Sequence, residues 1–168
     1  MGPLSSDSPD FRLATASPLT EDYVSPVPPR PPRPSRWHLI LFLLTVVTTI
    51  VAGAEHFASF HIDFGSRAVD LSTTQFLLNG LWYSASILAI LGAHEFGHYY
   101  ACRLYRVDAS LPYFLPAPLP LTGTLGAFIR IRQPIPGKRE LFDIGIAGPI
   151  AGFIVAIPVL LVGMSLSR

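Results

Sequence analysis

Three long stretches of the chain carry almost only apolar residues, and polar residues fall between them. Residues 37–54 hold no Asp, Glu, Lys or Arg, residues 72–93 also lack His, and residues 144–167 are uncharged. A helix that crosses about 30 Å of hydrocarbon needs about 20 apolar residues at about 1.5 Å each. The pattern predicts an all-α polytopic membrane protein with three transmembrane helices, at about 37–54, 76–105 and 144–166.

The remaining residues divide into a tail and a membrane domain. Residues 1–36 show no sustained hydrophobic periodicity and end in the proline-rich sequence SPVPPRPPRPSR. Proline lacks a backbone donor and favours extended conformations, so this segment is predicted to be a disordered tail. Residues 37–168 are predicted to form the membrane domain, in which the polar stretch 55–74 connects the first two spans.

The loop at about 107–140 differs from the spans because four prolines interrupt the sequence LPYFLPAPLP. Prolines at these positions exclude a regular helix. Residues 129–132 then alternate apolar and basic side chains with the period of two that is typical of a strand. Extended backbone at membrane depth needs protein or water to satisfy its hydrogen bonds. A membrane-associated β-hairpin or re-entrant loop is therefore predicted between the second and third helices, against the second.

Basic residues are concentrated on one side of the predicted spans. Three of them, Arg30, Arg33 and Arg36, closely precede the first span, whereas the connection between the first two spans has only Arg67. The others lie around the loop between the second and third spans: Arg103, Arg106, Arg130, Arg132, Lys138 and Arg139. The positive-inside rule places the N-terminus and this loop in the cytoplasm.

The composition agrees with a membrane protein. Half of the residues are hydrophobic and only 14% are charged, against about 25% in an average soluble domain. The lipid bilayer is therefore one predicted partner, and the net charge of +1 gives no reason to propose a nucleic acid. Cys102 is the only cysteine, which excludes an intrachain disulfide.

The second apolar run ends in the pentapeptide His94-Glu95-Phe96-Gly97-His98. Residues four apart share one face of a helix, so His94 and His98 can direct two imidazoles at one ion. Glu95 is then placed to take a proton from a metal-bound water, which is the arrangement of zinc peptidases. The pattern predicts a Zn²⁺ site for amide hydrolysis, with two histidine ligands and Glu95 as the general base.

The alternative interpretation places the pentapeptide near enough to the cytoplasmic interface to be hydrated without any role. We favour a functional role because an ionisable side chain in a membrane helix costs about 2.5–3.5 kcal/mol on insertion. Zinc also needs more than two protein ligands. Cys102 lies about 12 Å along the helix from His94, too far to share its ion. Asp143 lies near a helix start, where an acidic residue more often interacts with the helix dipole or pairs with a base than binds a metal. The third ligand is therefore left open.

Longer stretches resemble the site-2 proteases, a family of intramembrane zinc metalloproteases. The resemblance rests on ILGAHEFGHYYACRLYRV, on LPYFLPAPLPLTGTLGAFIRIRQPIPGKRELFDIGIAGPIAGF and on the order of these elements, across about residues 80–163. It implies that His94 and His98 bind zinc and that Glu95 is the general base. It also implies a substrate-presenting strand within residues 123–132. The substrate-binding residues would be Gly123, Gly126, Phe128 and Ile129.

The same resemblance implies a substrate and a setting. The enzyme would cleave a peptide bond within or near a transmembrane segment of a client membrane protein, in regulated intramembrane proteolysis. The client would be an anti-sigma factor or another membrane-tethered regulator. The setting would be the bacterial cytoplasmic membrane, with the N-terminus in the cytoplasm.

One feature of the family is missing from the sequence. The family takes its third zinc ligand from an Asp in an L-D-G sequence on a later helix, and no such sequence follows His98. Gly152 also stands where many members carry Asn. The chain is therefore expected to be a C-terminally truncated member. Two alternatives stay open: a catalytically inactive membrane-embedded binding protein, and a half-protease that completes its site with a partner chain.

Overall fold

The computed structural model describes residues 35–64, 72–118 and 121–166, which form three long helices and a two-stranded hairpin. In chain order the elements are α1 (Arg36–Phe64), α2 (Thr73–Leu104), β1 (Tyr113–Pro116), β2 (Thr124–Phe128) and α3 (Lys138–Leu166). By length and composition, each of these helices can cross a membrane. The predicted fold class is thus confirmed, including the hairpin between the second and third helices. The predicted tail lies, apart from its last two residues, outside the described residues.

Helices α1 and α3 extend well beyond the predicted spans. Helix α1 continues to Phe64 through the first half of the stretch predicted to be a connection, and α3 begins at Lys138, before its uncharged run. The uncharged run marks the part of a helix that tolerates lipid, whereas the backbone hydrogen bonds continue into charged flanks. Helix α2 begins after Ser72, whose side chain accepts a hydrogen bond from the backbone N–H of Gln75 at 3.3 Å.

Helix α1 packs against α2 through glycines that let the two helices approach closely. Gly53 of α1 lies against the side chain of Tyr83, and Gly80 of α2 lies against the backbone of α1. Between these contacts the hydroxyl oxygens of Thr49 and Ser84 share a buried hydrogen bond of 2.7 Å. The glycine contacts and this hydrogen bond together set the register in which α1 packs against α2.

Helix α3 packs against the half of α2 that carries the pentapeptide. Gly97 of α2 faces the backbone of α3, and a Cβ atom there would lie only 2.5 Å from a carbonyl oxygen of α3. Gly148 and Gly152 of α3 are both buried and lie against His98 and His94. These contacts bring α3 directly onto the face of α2 that holds the two histidines.

The hairpin strands pair in antiparallel fashion, with Tyr113 opposite Phe128 at one end. Strand β2 lies within the segment 123–132 predicted to contain a strand, but it ends before the alternating residues 129–132. Only Ile131 of that stretch forms a bridge, an isolated one to Ala109. A period of two indicates extended backbone, but the position of a partner strand decides which residues form a ladder.

The turn of the hairpin reaches far along α1. Nε2 of His56 donates a hydrogen bond to the carbonyl oxygen of Leu121 at 2.7 Å, and the hydroxyl of Tyr83 donates to the carbonyl oxygen of Thr122 at 3.4 Å. His56 follows Arg36 by twenty residues, which is about 30 Å along a helix. The hairpin therefore runs beside α1 over most of the length of a span, and side chains of two helices satisfy the backbone of its turn.

Candidate metal and catalytic site

The pentapeptide places two imidazoles side by side on one face of α2. The Nε2 atoms of His94 and His98 lie 3.1 Å apart, and the ring planes meet at 76° with centroids 4.8 Å apart. The spacing of four residues produces this arrangement because it returns to the same side of the helix after about one turn. The two nitrogen atoms are close enough to contact one ion.

A carbonyl group of α3 determines the tautomer of the neutral His98 imidazole. Nδ1 of His98 lies 2.7 Å from the carbonyl oxygen of Ile144. A carbonyl oxygen can only accept, so Nδ1 carries a proton, and in the neutral ring Nε2 then keeps its lone pair. This is the neutral form in which an imidazole binds a metal through Nε2. Donation of the other ring N–H to a backbone carbonyl is the usual support of a metal-binding histidine.

The separation of the two Nε2 atoms fits two ligands of one zinc ion. Zinc–nitrogen bonds of about 2.0–2.1 Å in tetrahedral geometry separate two ligand nitrogens by about 3.3–3.4 Å, close to the separation in the structure. Within residues 35–64, 72–118 and 121–166, no group of three His, Cys, Asp or Glu side chains is arranged to hold a metal. The pair thus provides two of the four positions, and these parts of the chain provide no further side-chain ligand.

The two other residues considered as ligands lie elsewhere. Cys102 is fully buried in a hydrophobic cluster with Tyr99 and Ile144. Asp143 accepts a hydrogen bond from the hydroxyl of Tyr105. Cys102 is therefore a core residue, and Asp143 ties the beginning of α3 to the end of α2.

Glu95 lies beside the histidine pair and faces the hairpin. Its side chain is buried, since only 6% of the residue surface is exposed. The carboxylate interacts with the backbone N–H of Ile129, the residue that follows β2. The hairpin therefore places a backbone donor near the carboxylate and shields it from bulk water.

A cavity of about 400 Å³ lies between α2 and β2 at the level of the pentapeptide. Its walls include His94 and Glu95 on one side and Thr124, Gly126 and Ala127 on the other. Gly126 has a φ of 104°, which a residue with a side chain rarely adopts. The strand therefore presents small residues and accessible backbone to the site. Thr124 and Ala127 were not among the predicted site residues, although their small size on either side of Gly126 is a signal for such a wall.

In the extended backbone after β2, successive residues direct their backbone N–H and C=O groups alternately to the facing segment 108–110 and to the site. The carbonyl oxygen of Arg130 accepts from the N–H of Ser110 at 2.9 Å, and the N–H of Arg132 donates to the carbonyl oxygen of Asp108 at 2.8 Å. Neighbouring residues of a strand direct their backbone groups to opposite edges. The groups of Ile129 therefore point away from that partner, towards α2. No third strand covers this edge in the part of the chain that the structure describes.

The structure separates the four residues predicted to bind substrate. Gly126 lines the cavity, and the amide of Ile129 lies beside the general-base candidate. Gly123 instead packs against the backbone of α1 at the turn of the hairpin. Phe128 stacks on Tyr113, with ring centroids 5.4 Å apart. The geometry thus brings two of the four to the site and leaves two in supporting contacts of the hairpin.

The fold and the site together define a class, a polytopic membrane protein whose second helix carries a metallopeptidase motif beside a β-hairpin. Residues 82–168 match the sequence model described as peptidase family M50. The chain therefore belongs to this family, the site-2 protease family, and the resemblance noted in the sequence is confirmed.

Several curated relatives of the chain are plant proteins named as zinc metalloproteases. The probable zinc metalloprotease EGY1, chloroplastic, of Oryza sativa subsp. japonica is 32% identical over 140 residues, which are 77% of this chain and 24% of the relative. The protein of the same name from Arabidopsis thaliana is 30% identical over 140 residues, 77% of this chain and 25% of the relative. EGY2, chloroplastic, of Oryza sativa subsp. indica is 33% identical over 92 residues, 55% of this chain and 16% of the relative.

The chain spans about a quarter or less of the length of these curated relatives. No solved structure matches it.

Proposed function

We propose that this chain forms part of an intramembrane zinc metalloprotease that hydrolyses a peptide bond within or near a transmembrane segment of a client membrane protein. The observation that carries the proposal is the pair of Nε2 atoms 3.1 Å apart beside a buried Glu95, on a helix able to cross a membrane. Membership of peptidase family M50 and relatives named as zinc metalloproteases support it.

The roles of the residues follow from their positions. When bound, zinc would polarise the scissile carbonyl group and acidify a water molecule. His94 and His98 would hold the ion through their Nε2 atoms. Glu95 would take a proton from the attacking water and deliver it to the nitrogen of the leaving amine. Burial between α2 and the hairpin would limit the water around Glu95 to the molecules that enter the cavity.

The hairpin edge suits a client in extended conformation. A helical peptide bond is shielded by its own hydrogen bonds, so a client helix must open locally before hydrolysis. An opened segment can add to an uncovered strand edge through main-chain hydrogen bonds. The edge of β2 borders the cavity that His94 and Glu95 line, so a client segment docked there would lie next to the histidine pair. A membrane-tethered regulator, such as an anti-sigma factor, is the class of client we propose.

The orientation in the membrane is proposed from charge. Arg36, Arg103 and Lys138 lie where α1 begins, α2 ends and α3 begins. The positive-inside rule places this end on the cytosolic side. His94 and His98 precede Arg103 by nine and five residues, which puts the site roughly 7–14 Å below that interface. The named relatives are chloroplastic, so the proposed bacterial cytoplasmic membrane gains no support from them.

A second candidate function follows from the two-ligand site. Because the described residues hold no third ligand, the chain could bind clients without cleaving them, or complete its site with a partner chain. A direct cleavage experiment separates these possibilities. Purified protein is reconstituted in lipid vesicles with a single-span peptide whose transmembrane segment contains a helix-breaking Gly-Pro pair, and products are identified by mass spectrometry.

We expect cleavage within the span, loss of cleavage with a zinc chelator and recovery on zinc addition. A peptide with an unbroken poly-Leu span is the matched control and should be cleaved far more slowly. Cleavage that persists in chelator would contradict a metalloprotease. Peptide binding without cleavage would instead favour the binding protein, and cleavage only after addition of a second chain would favour the half-protease.

Substitution of Ile129 by proline should lower the kcat/KM for client cleavage several-fold, because proline removes a backbone N–H from the edge proposed to hold the client and one such hydrogen bond contributes about 0.5–1.5 kcal/mol. Proline removes the N–H that faces Glu95 but no hydrogen bond of the β1–β2 pair. Ile129→Val keeps the N–H and is the control, which should retain most of the activity. The zinc content of both variants should equal that of the unmodified protein. Equal cleavage by the two variants would reject the role of this edge.

A further inference from the structure

The ring of His98 occupies a space that only a glycine leaves open. A Cβ atom on Gly148 would overlap three atoms of the His98 imidazole, including Nε2. Gly148 lies one helical turn after Ile144, whose carbonyl oxygen accepts the hydrogen bond from Nδ1 of the same ring. The backbone of α3 therefore contacts His98 twice, at its ring atoms and at its protonated nitrogen.

The accepting carbonyl group is itself held in place. The side chain of Ile144 is 4% exposed and packs in the cluster with Tyr99 and Cys102 of α2. The residue before it, Asp143, accepts a hydrogen bond from the hydroxyl of Tyr105. This bond raises the pKa of Tyr105, because the neutral hydroxyl is the donor and a carboxylate lies next to it. The beginning of α3 is thus tied to the end of α2 on both sides of the carbonyl group.

Glycines next to His98 also set the separation of α2 and α3. Gly97 precedes His98 and packs against the backbone of α3 next to Gly148. Glycine on both helices lets the two backbones approach closely on either side of the His98 imidazole. A larger residue on either side would push α3 outwards and lengthen the hydrogen bond at Ile144.

We propose that Gly148 and the carbonyl group of Ile144 are positioning residues for the metal centre. Together they hold His98 in the Nδ1–H tautomer, with the Nε2 lone pair directed at the neighbouring histidine before any metal arrives. The inference rests on the proposed function for the role of zinc, but the tautomer itself can be measured without metal. It assigns to α3 a part in the chemistry of the site that its apolar sequence does not show.

The test combines nuclear magnetic resonance and zinc titration on the same protein. Protein labelled with ¹⁵N-histidine is measured without metal, and the His98 signal is assigned by its absence in His98→Gln. The unmodified protein should show His98 as the Nδ1–H tautomer. Gly148→Ala should lose this tautomer and lower zinc affinity about 10- to 100-fold, the usual cost of disturbing the support of a metal ligand.

Three further variants make the test specific. Gly145→Ala lies on the same helix with nothing within 4 Å of the new Cβ, so both readouts should stay unchanged. In Gly152→Ala the new Cβ would lie 3.3 Å from the Cβ of His94, so the loss should be smaller than in Gly148→Ala. Tyr105→Phe removes the bond to Asp143 without adding volume, and should reduce the Nδ1–H population and zinc affinity while helical content is kept.

The outcomes separate this inference from the proposed function. A Gly148→Ala protein with unchanged tautomer and zinc affinity would overturn it, and so would an equal loss in Gly145→Ala. If Gly148→Ala does not fold, the Tyr105→Phe result decides by itself. A protein that holds His98 as the Nδ1–H tautomer but binds no zinc would support the positioning and contradict the metalloprotease.

Discussion

Substitution of His94 by alanine should abolish stoichiometric zinc binding. One of the two nitrogen atoms that lie 3.1 Å apart is removed, and the ion keeps a single side-chain ligand from α2. The affinity should fall by more than about 100-fold, because loss of even an outer support of a metal ligand commonly costs about 10- to 100-fold. Metal content after dialysis, together with competition against a chromophoric chelator, measures the effect.

A histidine away from the site provides the control for this prediction. His56 of α1 donates to the carbonyl oxygen of Leu121, and His56→Gln keeps a donor at that position. Zinc content should therefore be unchanged in His56→Gln. Retention of stoichiometric zinc in His94→Ala would show that the imidazole pair is not the metal site, and the proposed function would then lose the observation that carries it.

The second large effect is expected for Glu95→Gln. The amide has nearly the shape of the carboxylate and can accept from the N–H of Ile129, but it cannot take a proton from water. Loss of a general base lowers a rate by about 10²- to 10⁴-fold. We expect kcat for client cleavage to fall within this range, while zinc content and client binding remain.

The matched control is Glu55→Gln, an exposed carboxylate of α1 at the far end of the membrane domain. Its cleavage rate should equal that of the unmodified protein. Loss of zinc in Glu95→Gln would make Glu95 a ligand rather than a base. Full activity in Glu95→Gln would remove it from the mechanism.

These two substitutions also distinguish the leading proposal from the binding protein. A protease loses cleavage in both variants but keeps zinc in Glu95→Gln alone. A client-binding protein that does not cleave should bind the same peptide equally well with either substitution. The comparison therefore needs peptide binding and cleavage to be measured on the same preparations.

Local rules of sequence account for the helices and for the pair of histidines. Uncharged runs long enough to cross a membrane predict three spans, and a spacing of four residues predicts that His94 and His98 share a face. The same rules misplace the ends of α1 and α3, because a helix can continue through charged residues that lie outside the lipid. The alternation at residues 129–132 also indicates extended backbone just after the ladder rather than the ladder itself, since alternation alone does not identify a partner.

The sequence by itself determined the class of fold, the two candidate zinc ligands and the candidate base, because these depend on residues a few positions apart. Only the tertiary structure decided how that pentapeptide is supported. The bond from His98 to the carbonyl of Ile144 joins residues 46 positions apart, and the amide of Ile129 reaches Glu95 from the hairpin. Such contacts depend on how closely α3 and the hairpin pack on α2. Glycines at the helix contact and the pairing of β1 with β2 set that distance, and a local glycine pattern does not identify the partner that it will contact.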